Sequence, residues 1–145
     1  MFMILSEGLV ITGVDLLQPV TAQMSSTDGS KTADRCIDGD TESAANHGHK
    51  NMCHTEDEGF PWLAIDYGTT VTVKRMEIFN RDDCCGDRTK NVDVRVAYEL
   101  PTSSSQMFSR GSLLGHFAGP ATNGQHIIVS GQILLLSIGY SLHLF

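Results

Sequence analysis

The chain has 145 residues, a net charge of −7 and 41% apolar residues. That length predicts one domain with a sizeable core, and the mix of charged and apolar residues excludes a disordered chain. The acidic balance argues against a phosphate-tracking surface, so nucleic acid is not an expected partner. Residues 1–11 are apolar but lack a basic n-region and are interrupted by Glu7. Residues 1–12 therefore read either as the remnant of a leader or as a first strand, ahead of one domain over 13–145. No apolar run reaches the ~18–20 residues of a membrane-spanning helix, so membrane insertion is not expected.

Residues 9–24 read as extended segments broken at Pro19, and 25–30 as a loop of serine, threonine, aspartate and glycine. Ile37-Asp38-Gly39-Asp40 is a turn. Its two carboxylates around a glycine suit either a hard cation, which takes six to eight oxygens, or an ordinary Asp-Gly turn. His47, His49, Cys53 and His54 then fall within eight residues. Imidazole and thiolate are zinc ligands, yet the stretch lacks the regular spacing of zinc modules. His54 has a second reading, as a neutral imidazole that exchanges a hydrogen bond with a hydroxyl.

Trp62, the single tryptophan, enters an expected strand after Pro61 and is expected to anchor the core. Residues 69–79 alternate, with a slip in phase near Lys74-Arg75 that indicates a turn or bulge. Arg81-Asp82-Asp83-Cys84-Cys85-Gly86-Asp87-Arg88 follows the end of that strand. Packing alone does not explain such a run. Arginine presents five fixed donors, and Asp83 is placed to hold the Arg81 fork in one pose. Adjacent cysteines have Cα atoms ~3.8 Å apart, below the usual ~4.4–6.8 Å range of disulfides. Cys84 and Cys85 are accordingly two thiols, two separate disulfides, or a strained ring with a rigid sulfur face. Cys36 and Cys53 either bridge each other or leave one thiol free.

Beyond the cluster, 92–98 alternates cleanly, and 111–117 and 125–129 read as further strands separated by a glycine and proline break. No amphipathic helix and no internal repeat are evident. Short strands between frequent turns indicate an all-β sandwich.

His54, Arg81, Asp83 and Arg88 resemble the pattern of the F-type lectins: His, twenty-six residues, Arg, any residue, Asp, four residues, Arg or Lys. The adjacent Cys84-Cys85 resembles that family too, as do Ala33–Asp40, Pro61-Trp62 and Ile65-Asp66. The resemblance runs from about Gly13 to Val129; the chain diverges from about residue 130. It implies a β-sandwich jelly roll of the galactose-binding type, with a shallow site in loops at one end. It implies that His54, Arg81 and Arg88 contact L-fucose, that Asp83 orients the arginines, and that Cys84 and Cys85 pack on the sugar ring. It further implies a structural calcium at Asp38, Asp40 and the Arg35 carbonyl. In the family a cysteine two residues before the histidine, where this chain instead has Cys53 immediately before His54, pairs with one in a last strand, whose Cys-Glu would fall where this chain reaches Phe145. An incomplete C-terminal strand and an open sheet edge are therefore expected. Histidines at 47 and 49 stand where the family lines the fucose methyl with aromatics.

The function implied is a secreted, non-catalytic lectin for terminal L-fucose on glycans, in recognition, adhesion or defence. Weak single sites would act through a homo-oligomer or tandem domains. The other class kept open is a β-sandwich interaction module that binds protein or metal through the His47/His49/His54 loop. Arg81, Arg88 and His54 include no nucleophile with a paired base, nor the two carboxylates of a glycosidase, which argues against an enzyme.

Overall fold

The computed structural model describes residues 4–7, 16–41, 52–98, 105–106, 111–131 and 141–144. The expectations placed on His47 and His49, and residues 132–140 of the divergent stretch, lie outside these residues. Nine strands are found among the described residues: β1 (Ile4–Glu7), β2 (Leu16–Leu17), β3 (Thr21–Met24), β4 (Leu63–Asp66), β5 (Arg75–Phe79), β6 (Val92–Ala97), β7 (Ser112–Phe117), β8 (His126–Ser130) and β9 (Ser141–Leu144). They form a four-stranded sheet, β2-β1-β5-β8, and a five-stranded sheet, β3-β4-β9-β6-β7. Every pairing among them is antiparallel.

The sandwich follows from side-chain alternation, which turns every second residue of a strand to one face. Met76 and Ile78 of β5 with Ile127 and Val129 of β8 face inward from the first sheet. Leu63 and Ile65 of β4, Val92, Val94 and Val96 of β6 and Leu114 of β7 meet them from the second. Cys36, Cys53, Tyr67, Val71, Val73 and Ala121 complete the core from the connections. Burial of each large aliphatic side chain contributes roughly 1.5–3 kcal/mol.

The chain departs from the expected pattern in four places. The last strand leaves no open edge, because β9 lies inside the five-stranded sheet, paired to β4 on one side and β6 on the other. Pairing needs only extended backbone, and Ser141-Leu142-His143-Leu144 alternates as a strand should. The clean alternation of β6 conceals a register shift against β7 between Val94 and Arg95. Trp62 is half-buried and outside the core cluster, whose aromatic member from this segment is Tyr67. Val71 and Val73 are buried without belonging to a strand, and β5 begins only at Arg75, just after the expected slip.

Candidate functional site

Strand register gathers four loops at one end of the sandwich. Met24 at the end of β3 lies opposite Leu63 at the start of β4. Leu144 of β9 pairs with both Leu63 and Val94, so β4 and β6 run parallel and begin at the same end. Phe79, the last residue of β5, faces His126, the first of β8. The 80–91 connection then runs from that end of β5 to the start of β6. The segments after β3, before β4, between β5 and β6, and before β8 therefore share one rim. Loops held by a rigid sheet are where binding residues concentrate.

The arginine run starts directly at the end of β5. Arg81 Nε donates to Asp83 Oδ1 at 2.8 Å and its terminal nitrogen to Asp83 Oδ2 at 2.7 Å, a bidentate pair. Arg81 is 9% exposed. The hydrogen bonds to Asp83 outweigh burial and raise its pKa above the usual arginine value, so the charge is fixed. Two of its five N–H donors serve Asp83, and among the described residues its side chain bonds to nothing else. Arg88 sits in a short 3-10 turn, Gly86–Arg88, and is exposed; among the described residues its guanidinium forms no ion pair. Between the arginines, Cys84 and Cys85 are bonded to each other, with Cα atoms 3.8 Å apart. Both are half-buried. Cys85 takes left-handed backbone, φ +59°, which is uncommon for a residue with a Cβ.

Asn80 holds this loop, and nothing in the motif pointed to it. It is 4% exposed. Its Nδ2 donates to the Gly86 carbonyl at 3.0 Å and the Thr122 carbonyl at 2.9 Å, while its Oδ1 accepts from Thr89 Oγ1 at 2.9 Å. Its backbone N–H donates to Gln125, and the Arg81 carbonyl accepts from Gly124. Gly86 N–H in turn donates to Asn123 Oδ1 at 2.8 Å. A Cβ on Gly86 would lie 2.6 Å from the Thr122–Asn123 backbone, so only glycine permits the approach. Both ends of the arginine loop are thus fastened to residues 122–125. The readable signal was an asparagine between a strand end and the cluster, but asparagine is common in loops.

His54 reaches the same rim from another loop and bonds neither arginine. Its neighbour Cys53 is disulfide-bonded to Cys36, which settles the pairing of those two cysteines. The bond also removes Cys53 as a thiolate, so the expectation that it joins the histidines on zinc does not hold. The His54 N–H donates to the Lys31 carbonyl at 3.0 Å, and its carbonyl accepts from Asp28 N–H at 2.8 Å. Ring Nδ1 lies against the Thr55 carbonyl, which can only accept, so Nδ1 is assigned the proton and neutral Nε2 keeps a lone pair. Burial lowers the His54 pKa from its ordinary value, with the Thr55 hydrogen bond opposing it. Asp28 lies 3.8 Å from Nδ1 and is ion-paired with Lys31, whose hydrogen bond holds the Asp28 carboxyl below its usual value.

The calcium expectation meets a partial set of donors. Arg35 belongs to a 3-10 turn, Ala33–Cys36. Asp40 N–H donates to Asp38 Oδ1 at 2.9 Å across Gly39, whose φ is +82°. The remaining carboxylate oxygens and the Arg35 carbonyl are hard donors of the right kind, but they fall short of six to eight ligands. Among the described residues no three histidines, cysteines or carboxylates gather as a metal cluster.

Residues 35–111 match the family of NedA-like, galactose-binding domains. A fucolectin of Anguilla anguilla is 28% identical over 116 residues, covering 77% of this chain and 72% of that one. A pentraxin fusion protein of Xenopus laevis is 33% identical over 79 residues, 54% of this chain and 18% of that protein. The chain thus spans a small part of the latter relative and the larger part of the former. Among solved structures, the lectin domain of lectinolysin complexed with Lewis B antigen superposes at TM-score 0.63 with 25% identity, covering 86% of this chain and 79% of that one. An F-lectin (fucolectin) from serum of the striped bass Morone saxatilis superposes at 0.70 with 22% identity, covering 89% and 42%.

Proposed function

This chain belongs to the NedA-like, galactose-binding domain family as an F-type lectin domain, and from that premise we propose that it binds terminal L-fucose on glycans at the rim that carries His54, Arg81 and Arg88. The observation that carries the proposal is the Arg81 fork, locked bidentately on Asp83 beside the joined Cys84 and Cys85. A sugar is recognised by donors already fixed in direction, because ordering a free arginine on binding costs about 2 kcal/mol of side-chain entropy. Arg81 and Arg88 donate to ring oxygen and hydroxyls, and neutral His54 Nε2 accepts from a hydroxyl. Asp83 sets the Arg81 plane without touching the sugar. The half-exposed sulfur pair offers a rigid, weakly polar wall for the C–H face of the ring.

The domain family is one of binding modules, and the reading is non-catalytic: the chain takes hold of a glycan and leaves it unchanged. The lectinolysin lectin domain is complexed with Lewis B antigen, and the curated relatives include fucolectins, which supports fucosylated glycans as the partner class. Two disulfides support an oxidising, extracellular setting, where recognition, adhesion or defence would be the role. Calcium is proposed as a structural ion at Asp38, Asp40 and the Arg35 carbonyl, bracing the turn joined to Cys53. The reading as a metal-binding histidine loop loses a ligand to the Cys36–Cys53 bond.

Fucose-agarose tests the proposal. The folded chain is expected to be retained and released by free L-fucose, and Arg81→Ala or Arg88→Ala to pass through unretained. Retention that survives both substitutions moves the sugar elsewhere and ends this reading.

A further inference from the structure

We propose that Cys84–Cys85 is a site of reversible thiol–disulfide exchange: a dithiol reductant opens the bond in the folded chain, and the opened loop lets fucose go. The inference rests on the fucose reading above and adds a control to the same site.

The two disulfides differ in access and in effect. Cys36 and Cys53 are 0% and 2% exposed, and their bond spans a sequence separation of 17 within the core. Such a cross-link restrains the unfolded chain. Cys84 and Cys85 are neighbours in sequence and half-buried on the rim. A bond between neighbours restrains almost nothing in the unfolded chain, so it adds little stability by that route. Their Cα atoms are 3.8 Å apart, closer than in ordinary disulfides, and a bond made outside the usual spacing is the more reducible one. A reductant in solvent therefore opens this pair first.

Both arginines feel the opening. Asp83, which holds the Arg81 fork, directly precedes Cys84 in the chain. The Cys85 carbonyl accepts from Arg88 N–H at 3.3 Å, a hydrogen bond that closes the turn carrying Arg88. Cys85 makes that contact from left-handed backbone, φ +59°, a conformation that disfavours a Cβ. The disulfide ring helps to hold it there. Once the ring opens, Cys85 relaxes toward ordinary backbone, its carbonyl turns from Arg88, and the sulfur wall parts. The change stays local, because Asn80, Thr89 and Asn123 hold the loop from Gly86 onward without either sulfur.

The exchange balances with a dithiol alone. One thiolate of the reductant attacks a cysteine sulfur, the S–S bond breaks, and the other cysteine leaves as a thiolate that takes a proton from solvent. The second thiol of the reductant loses its proton to solvent and attacks the mixed disulfide. The reductant departs as a cyclic disulfide, and the second cysteine is freed and protonated. Two electrons and two protons pass from the dithiol to the pair. A monothiol stops at the mixed disulfide, where the neighbouring cysteine expels it and closes the ring again.

Millimolar dithiothreitol on the folded chain, then iodoacetamide and peptide mass, reads which sulfurs open. Isothermal titration with methyl α-L-fucoside in the same reductant, before alkylation, reads the consequence. Labels are expected on Cys84 and Cys85 and not on Cys36 or Cys53. Affinity is expected to fall about tenfold, as the loss of one charge-assisted hydrogen bond would lower it, and to recover when the reductant is removed in air. Glutathione at the same thiol concentration is expected to leave affinity unchanged. A Cys84→Ser/Cys85→Ser chain is expected to bind as weakly as the reduced one and not to respond to reductant. No label on Cys84 and Cys85, labels on Cys36 and Cys53 first, or full affinity with the pair open overturns the exchange site and leaves the fucose site standing. An equal loss with glutathione overturns the dithiol requirement. An oxidised wild-type chain that binds no fucoside overturns the fucose reading and this inference together.

Discussion

The protonation of one ring decides what His54 does. Nδ1 is committed to the Thr55 carbonyl, so the ring meets a ligand with Nε2, an acceptor when neutral and a donor when charged. Burial lowers the pKa of His54 from 6.5, so the neutral form is the one the fold favours. Below 6.5 the unfolded chain takes up the proton first, and this group's contribution to stability falls as pH drops toward its lowered folded value; above that window it is constant. Fucose retention is accordingly expected to be level from neutral pH upward and to weaken on acidification as Nε2 loses its lone pair. His54→Gln keeps an acceptor that does not titrate. Its retention should be flat over the same range, measured on fucose-agarose in a series of buffers. An equal acid decline in His54→Gln would show that the effect does not come from His54.

At the scale of the element, the arginine loop is legible as a motif and illegible as a construction. Four residues at fixed spacing mark the polar groups, but the spacing says nothing of what holds them still. That task falls to Asn80, whose side chain satisfies two carbonyls and one hydroxyl from three places in the chain. Asn80→Ala leaves those buried groups unpaired, at about 1–3 kcal/mol for each that finds no water. The urea midpoint is expected to drop by an amount corresponding to roughly 2 kcal/mol or more, with fucose retention lost at concentrations where the chain is still folded. A midpoint and a retention volume both equal to wild type would show that the 122–125 segment holds the loop without Asn80. Gly86 belongs to the same construction, since any Cβ there meets backbone at 2.6 Å.

Across the whole molecule, the calcium proposal reaches beyond the rim. The Asp38–Asp40 turn follows Cys36, and Cys36 is bonded to the residue before His54. An ion on that turn would brace the histidine side of the site by favouring the folded chain that alone presents the ligands. Addition of millimolar calcium to chelator-treated protein is expected to raise the melting temperature by several degrees, and Asp38→Ala to abolish the rise. An identical melting curve with calcium and with chelator removes the ion from the account.

What the sequence determined by itself was local. Alternating apolar residues dictate strands because a strand turns every second side chain to one face. The His54, Arg81, Asp83 and Arg88 spacing names the polar groups, and the Asp83 position predicts a fork that the structure contains. Only the tertiary structure decided the rest, because those outcomes depend on residues far apart in the chain. It placed β9 between β4 and β6 instead of leaving an edge, paired Cys36 with Cys53, moved Trp62 out of the core, and recruited Asn80 and Asn123 to clamp the loop. Each of these turns on which segments meet in space. Meeting is set by the closing of two sheets on a shared core, a property that no single stretch of the chain carries.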